Sequence, residues 1–273
     1  MSQNARDIYI WSSMTLIYIS MHVYPVTGAS RGLGLALITR LATLPKTEVG
    51  TIIATARQDN SASLREIADT SARRVQIAKL DVTDESSVKG GVAAVERQLQ
   101  GKGLDYLVNN AGVSDWSPTG LEGMDNLNKT FNVNVTAPHV VSRAFLPLLR
   151  KGEKKTVINI STTLGSIAMA DAFQPLLSPA YKISKAALNM LTVQYAQQYA
   201  NDGFTFLAIN PGWLRTDLGG SRADLPVEVG AEKVLDIIQK ATPEQNGKFV
   251  NIHVPGWETR EGPNQYDGKE IPW

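Results

Sequence analysis

Thr27-Gly28-Ala29-Ser30-Arg31-Gly32-Leu33-Gly34 is the stretch that decides the fold of this chain. It follows an apolar run, Val23 to Val26, and opens a segment with helical periodicity, Gly32 to Leu44. A glycine-rich turn between a strand and a helix lets the backbone approach a ligand closely, while the unpaired N–H groups of the helix's first turn face an anion. The spacing G-x-x-x-G-x-G differs from the dinucleotide fingerprint G-x-G-x-x-G but serves the same physics. Three glycines in an ordinary turn would read alike, so the surrounding segments have to decide.

Strand-like apolar runs recur at Val23–Val26, Gly50–Ala56, Val75–Leu80, Leu104–Asn109, Thr156–Ile160, Phe204–Ile209 and Lys248–Ile252. Between them lie amphipathic stretches, among them Gly32–Leu44, Ser86–Gln100, Leu121–Leu149 with Pro138 and Pro147 as kinks or boundaries, Ala180–Ala200 and Val227–Ala241. Short runs apolar on both faces, alternating with helices, predict an α/β fold: a single-domain, doubly wound parallel sheet, Rossmann-like, with helices on both faces. Ligands then gather at the carboxyl ends of the strands. Pro25 conflicts with this locally, because a central strand needs its N–H, so the first strand is expected to be edge-like or distorted there.

The 273 residues suit one domain over 22–273, preceded by an N-terminal extension over 1–21. The stretch Ile8 to Tyr24 is apolar but broken by Ser12, Ser13, Thr15, Ser20 and His22, and its basic flank is Arg6 beside Asp7. It reads as an extension that packs or frays, or as text from an imperfect gene model with Met14 or Met21 as the natural start, ahead of a signal peptide or membrane helix. With 27 basic and 26 acidic residues the formal net charge is +1, which gives no general pull toward nucleic acid or an anionic membrane and favours a small-molecule partner. Cysteine is absent, which excludes disulfides, thiolate metal sites and cysteine nucleophiles and fits a reducing, cytoplasmic compartment. His22, His139 and His253 are too scattered for a metal site, so no metal is expected.

After the second strand comes Ala54-Thr55-Ala56-Arg57, where an NAD enzyme would carry an acidic residue for the ribose 2′-hydroxyl. A guanidinium pairs with a 2′-phosphate instead, and Arg31 supplies a second cation, so NADP(H) is the expected cofactor; the alternative is that Arg57 is a solvated surface group. Further on, Tyr181 and Lys185 stand at i and i+4, on one helix face, where an ammonium near a phenol favours its ionised form and makes the tyrosine a usable acid or base.

With these residues in hand, the chain resembles the short-chain dehydrogenase/reductase family from about Val23 to Trp273. Gly28, Ser30, Arg31, Gly32, Leu33 and Gly34 are similar to the family's cofactor turn, Asp81-Val82 to its adenine-side loop, and Asn109-Asn110-Ala111-Gly112 to the segment beside the cofactor. Asn134, in Val133-Asn134-Val135, resembles the asparagine that holds a water in the proton relay, and Tyr181 and Lys185 match the catalytic pair. Asn210-Pro211-Gly212 and Thr216 resemble the loop that contacts nicotinamide. The ending Tyr266 to Trp273, with the long spacing from Thr162 to Tyr181, resembles a narrower branch of C-factor-like carbonyl reductases and fungal ketoreductases related to norsolorinic acid ketoreductase.

The resemblance implies hydride transfer between NADP(H) and a ketone, aldehyde or secondary alcohol, in fungal secondary metabolism on the narrower reading. Tyr181 would donate the proton, Lys185 lower the tyrosine pKa and bind the nicotinamide ribose, and Asn134 tie a water to Lys185. The family's catalytic serine falls in register on Thr162, in Ser161-Thr162-Thr163-Leu164-Gly165; threonine keeps the hydroxyl but adds a methyl. Ser161 would serve only if the strand shifted by one residue. A homodimer or tetramer is likewise implied. Trp116, Trp213 and Trp257 border a substrate pocket or pack, and the loop Trp213 to Val227 is a lid or an ordinary surface loop. Two other readings stand beside the enzyme: an NADPH-binding sensor or interaction protein weakened by Thr162, and a membrane-attached reductase that depends on the N-terminal stretch.

Overall fold

The computed structural model of the chain describes residues 10–12, 15–17, 21–58 and 61–273. Strands β1 (Ile10–Ser12) and β2 (Thr15–Ile17) pair antiparallel with each other. The remainder of residues 1–20, on which the expected extension falls, lies outside the described residues. Seven further strands form one parallel sheet: β3 (His22–Val26), β4 (Val49–Ala56), β5 (Val75–Lys79), β6 (Tyr106–Asn109), β7 (Thr156–Ile160), β8 (Thr205–Asn210) and β9 (Lys248–Asn251). Their order is β5-β4-β3-β6-β7-β8-β9. Every residue of β6, β7 and β8 is buried, as a strand covered on both faces requires.

The helices are α1 (Gly32–Thr43), α2 (Ala62–Thr70), α3 (Glu85–Leu99), α4 (Leu127–Phe131), α5 (Ala137–Arg150), α6 (Pro179–Gln198) and α7 (Val227–Lys240). On one face α1, α2 and α7 bring Leu37, Leu41, Leu64 and Ile238 into a core with Ile52 and Leu207. On the other, α3, α5 and α6 bring Val95, Phe145 and Tyr195 against Ile53, Leu107 and Phe206. Neighbours Ile52 and Ile53 thus belong to opposite cores, as the two-residue period of a strand dictates. Each such aliphatic side chain contributes about 1.5–3 kcal/mol by leaving water. The expected doubly wound sheet is the observed one.

Three local features refine or depart from the sequence reading. Pro25 lies in β3 at the centre of the sheet, not at an edge. The expected distortion is there: the register with β4 shifts between His22 and Val23, and β3 pairs with β6 only at Val26 and Val108. The buried Asp105 carboxylate accepts the Val23 N–H at 2.9 Å, and Tyr24 stacks on Tyr106 with centroids 4.4 Å apart, so side chains join β3 to the start of β6 where ladder bonds are lost. The single helix expected over Leu121–Leu149 begins only at Leu127 and is broken by a π-helical turn, Asn132–Thr136. Pro138 explains the break, since it has no N–H for the carbonyl four residues earlier, that of Asn134. Helix α2 has no counterpart among the helices expected from sequence; its start is capped by Ser61, whose hydroxyl accepts the Leu64 N–H at 3.4 Å.

From β3 the chain steps outward to β4 and β5, then returns past β3 to β6 and continues the other way. This reversal opens a crevice at the carboxyl ends of β3 and β6.

Candidate active site

The glycine turn and the Asn109–Gly112 segment meet in that crevice. Thr27 donates its N–H to the Val108 carbonyl at 3.0 Å, and its hydroxyl oxygen accepts the N–H groups of Asn110 and Ala111 at 2.9 and 3.1 Å. Asn110 returns the contact, donating from Nδ2 to the Thr27 carbonyl at 2.8 Å. Gly28 has φ +65°, and a Cβ there would stand 3.0 Å from the Ala111 Cα; a Cβ on Gly34 would collide with the Gly28 carbonyl. Both glycines are therefore required by close backbone approach. Arg31 begins α1 without a side-chain capping bond, which leaves the first-turn N–H groups of Gly32, Leu33 and Gly34 facing the crevice mouth. That cradle fits the pyrophosphate of a dinucleotide. Thr27, Val82, Ala111 and Val133 line one common recess beside it. Asp81 holds the Val82 loop by accepting the N–H and the hydroxyl of Thr83 at 2.9 and 2.7 Å.

On the other side of the turn, Ala29 donates to the Thr55 carbonyl at 3.0 Å and Ser61 Oγ donates to the Ser30 carbonyl at 3.1 Å. The end of β4, with exposed Arg57, thus runs beside Ser30 and Arg31. Arg31 itself pairs with Asp217 at 3.2 Å, both highly exposed. Asp217 follows Thr216, whose Cγ2 stands 3.6 Å from where a Gly32 Cβ would be, so the loop after β8 passes over the start of α1. Pro211 and Gly212 lead into that loop, Gly212 with φ +83°.

Tyr181 and Lys185 share one face of α6, with the Lys185 Nζ 5.7 Å from the phenol ring centroid. Lys185 is buried and donates to the Ile160 carbonyl at the end of β7, 2.7 Å away. Burial pulls its ammonium down to about 8 and pushes the Tyr181 phenol well above its ordinary value. Burial sets the direction of the phenol's shift here, and the expected lowering by the lysine is not seen in it. The turn after β7, Thr163–Gly165, packs directly on α6, since a Cβ on Gly165 would come 2.7 Å from the Lys185 Cβ. Thr162 is partly exposed at this turn, while Ser161 is buried and donates to Asn189 Oδ1 at 2.6 Å. The strand keeps its register, so Ser161 is turned inward and Thr162 takes the partly exposed position.

Asn134 is fully buried in the π-helical turn. Its side chain is spent: Oδ1 accepts the Val113 N–H at 2.9 Å, and Nδ2 donates to the Val113 carbonyl and to Ser184 Oγ at 2.9 and 3.0 Å. The amide thus ties the segment after β6 to α6, while Pro138, which has no N–H, takes the α-helical partner from the Asn134 backbone carbonyl. Gly112 lies between these groups, its would-be Cβ 3.3 Å from Asn134 Oδ1 and 3.8 Å from Lys185 Nζ.

The sequence reading assigned no role to Ser184, Asn189, Asp217, Asp224 or Tyr266. The buried Tyr266 hydroxyl accepts the Trp213 N–H at 3.0 Å and donates to Asp224 Oδ2 at 2.6 Å, fastening both ends of the loop read as a lid. Asn189 stands four residues past Lys185 on the same face, and that spacing alone would have marked it. The others are joined by contacts distant in sequence. Trp116 and Trp213 are exposed at the carboxyl end of the sheet, whereas Trp257 packs on Tyr266 and under Arg260. Among the described residues, no helix is long and apolar enough to cross a membrane.

A profile of the short chain dehydrogenase family matches residues 22–225. The chain belongs to that family. It is 35% identical over 208 residues to the short chain dehydrogenase virK of Hypocrea virens, covering 72% of this chain and 75% of that one. Over 171 residues it is 34% identical to the C-signal protein of Myxococcus xanthus, covering 62% of this chain and 93% of that one. These relatives agree with the branch that the ending Tyr266 to Trp273 resembles. Among solved structures it is similar to the NADPH-bound carbonyl reductase from chicken fatty liver, at 31% identity with a TM-score of 0.82 over 93% of this chain and 94% of that one. The carbonyl reductase Sniffer of D. melanogaster follows at 30% identity and a TM-score of 0.80 over 93% and 100%.

Proposed function

We propose that this protein is an NADPH-dependent carbonyl reductase, transferring hydride between NADP(H) and a ketone, aldehyde or secondary alcohol. The observation that carries the reading is the union, at one crevice, of the glycine cradle with Tyr181, Lys185 and Thr162 on the α6–β7 seam. Exposed Arg57 and Arg31, with no acidic residue at the end of β4, support NADP(H) over NAD(H). The similar chicken reductase, described as NADPH-bound, supports it too. Residues 22–273 would form the catalytic domain and 1–21 an extension to it.

When bound, the coenzyme supplies the hydride, and the protein positions and polarises. Tyr181 donates its phenolic proton to the carbonyl oxygen, which Thr162 steadies through its hydroxyl. Lys185 would hold the nicotinamide ribose and, through a water on the Asn134 carbonyl, would return a proton to Tyr181. The first-turn N–H groups of α1 would hold the pyrophosphate, and the Asp81–Val82 loop would line the adenine side. The ketoreductase-like ending supports a substrate from fungal secondary metabolism, and the family supports a homodimer in the cytoplasm. Thr162→Val tests the substrate-side assignment. It should lower kcat about ten to a thousand-fold with coenzyme binding unchanged, and an unchanged kcat would remove Thr162 from the reaction.

A further inference from the structure

Three consecutive residues at the end of β7 are each bonded to α6. Asn159 Nδ2 donates to Thr192 Oγ1 at 2.8 Å, the Ile160 carbonyl accepts from Lys185 Nζ at 2.7 Å, and Ser161 Oγ donates to Asn189 Oδ1 at 2.6 Å. Asn189 makes one bond more, from Nδ2 to the Gly165 carbonyl at 3.2 Å. Its single amide therefore grips both ends of the segment Ser161–Gly165, and Thr162 lies inside that grip. Asn189 and Ser161 are only 3% and 2% exposed, so water does not compete for these bonds. Besides the Asn189 bonds, the segment is held by Ser161 N–H to the Ile209 carbonyl at 2.8 Å at its start, and within the turn by Gly165 N–H to the Thr162 carbonyl at 2.9 Å and Ser166 N–H to the Thr163 carbonyl at 3.0 Å. Among the described residues, the Thr162 hydroxyl accepts only a long 3.4 Å contact from the Leu164 N–H.

We propose that Asn189 is a positioning residue that acts through Thr162, setting where its hydroxyl stands relative to Tyr181 and Lys185. Tyr181, Lys185 and Asn189 fall at i, i+4 and i+8 on α6, so one helix face carries the proton donor, the lysine and the clamp on the third group. The residue pair Ser161 and Asn189 also explains why two adjacent hydroxyls take separate tasks. Ser161 is turned inward to the clamp, and Thr162, next along the extended backbone, takes the partly exposed position. This inference rests on the role of Thr162 proposed above.

The test is a double-mutant cycle on the full chain, with kcat, KM for the carbonyl substrate and coenzyme Kd measured for Asn189→Ala, Thr162→Val and the pair. Asn189→Ala should lower kcat about tenfold through misplacement of the hydroxyl, with coenzyme Kd unchanged, and should cost nothing further once Thr162 is valine. Losses that multiply in the double variant, or a full kcat in folded Asn189→Ala, would overturn the positioning role. If Thr162→Val alone keeps full kcat, it is the substrate-side assignment that fails, and the two failures are thereby distinguished. Should Asn189→Ala not fold, Ser161→Ala removes one clamp bond and is held to the same criterion: a several-fold fall in kcat that vanishes in the Thr162→Val background.

Discussion

The α6–β7 seam and the rim around the glycine turn serve one site but are built by opposite means. Along the seam Lys185, Asn189 and Thr192 are buried and each is bonded to the end of β7. At the rim Arg31 and Asp217 are 73% and 80% exposed, and Arg57 lies open beside them. Proton transfer needs atoms held within fractions of an ångström, and buried hydrogen bonds supply that rigidity. Capture of a charged coenzyme needs only cations within reach, and exposed ones remain free to reorient, at the mercy of salt. The seam is thus set for chemistry by the fold alone, while the rim is completed by what it binds.

The comparison predicts large effects along the seam and small ones at the rim. Gly165→Ala should be the most disruptive change to the structure, because its methyl would press on the Lys185 backbone. A loss of about 1–3 kcal/mol, read by denaturant unfolding, is expected together with a fall in kcat. Unchanged stability would mean that the turn does not rest on α6. At the rim, Arg57→Ala should weaken NADPH about tenfold and leave NADH nearly untouched, measured as Kd by titration. Equal effects on both coenzymes would remove the 2′-phosphate role.

A pH profile sharpens the same contrast. Lys185 carries its proton below about 8, so the kcat/KM of carbonyl reduction should fall as pH rises through that value. Since the unfolded lysine titrates near 10.5, the unfolded chain binds more protons between about 8 and 10.5, and Lys185's contribution to stability rises with pH across that window. Lys185→Arg, which stays charged, should remove the fall in kcat/KM in whatever activity it retains. The smallest effect belongs to Asp217→Asn. An ion pair this exposed is worth about 0–1 kcal/mol, so unfolding free energy should change by less than that.

How far the sequence could be read follows the same division between local and distant contacts. Strand β7 was legible residue for residue, because Thr156–Ile160 is an unbroken apolar run between polar segments. The glycine turn and the Tyr181–Lys185 face were legible because their residues are close neighbours along the chain. The contacts of Asn134 were not legible, for its side chain meets Val113 and Ser184, 21 and 50 residues away. The grip of Asn189 on Ser161 spans 28 residues, and that of Tyr266 on Asp224 spans 42. Pro25 was legible as a conflict, and of its two expected outcomes the strand takes the distorted one. A proline reads as a mark of an edge strand, yet β3 is central, because Asp105 and the Tyr24–Tyr106 stack make good the pairing that proline removes.

The most direct test of the whole account is steady-state oxidation of NADPH by the purified protein with a panel of quinones, aromatic polyketides, diketones and aldehydes, run beside Tyr181→Phe. The account predicts turnover by the native chain and a loss of about ten to a thousand-fold in the variant, with NADPH still bound. Turnover that Tyr181→Phe retains in full would contradict the assignment of the proton donor on which the site is built.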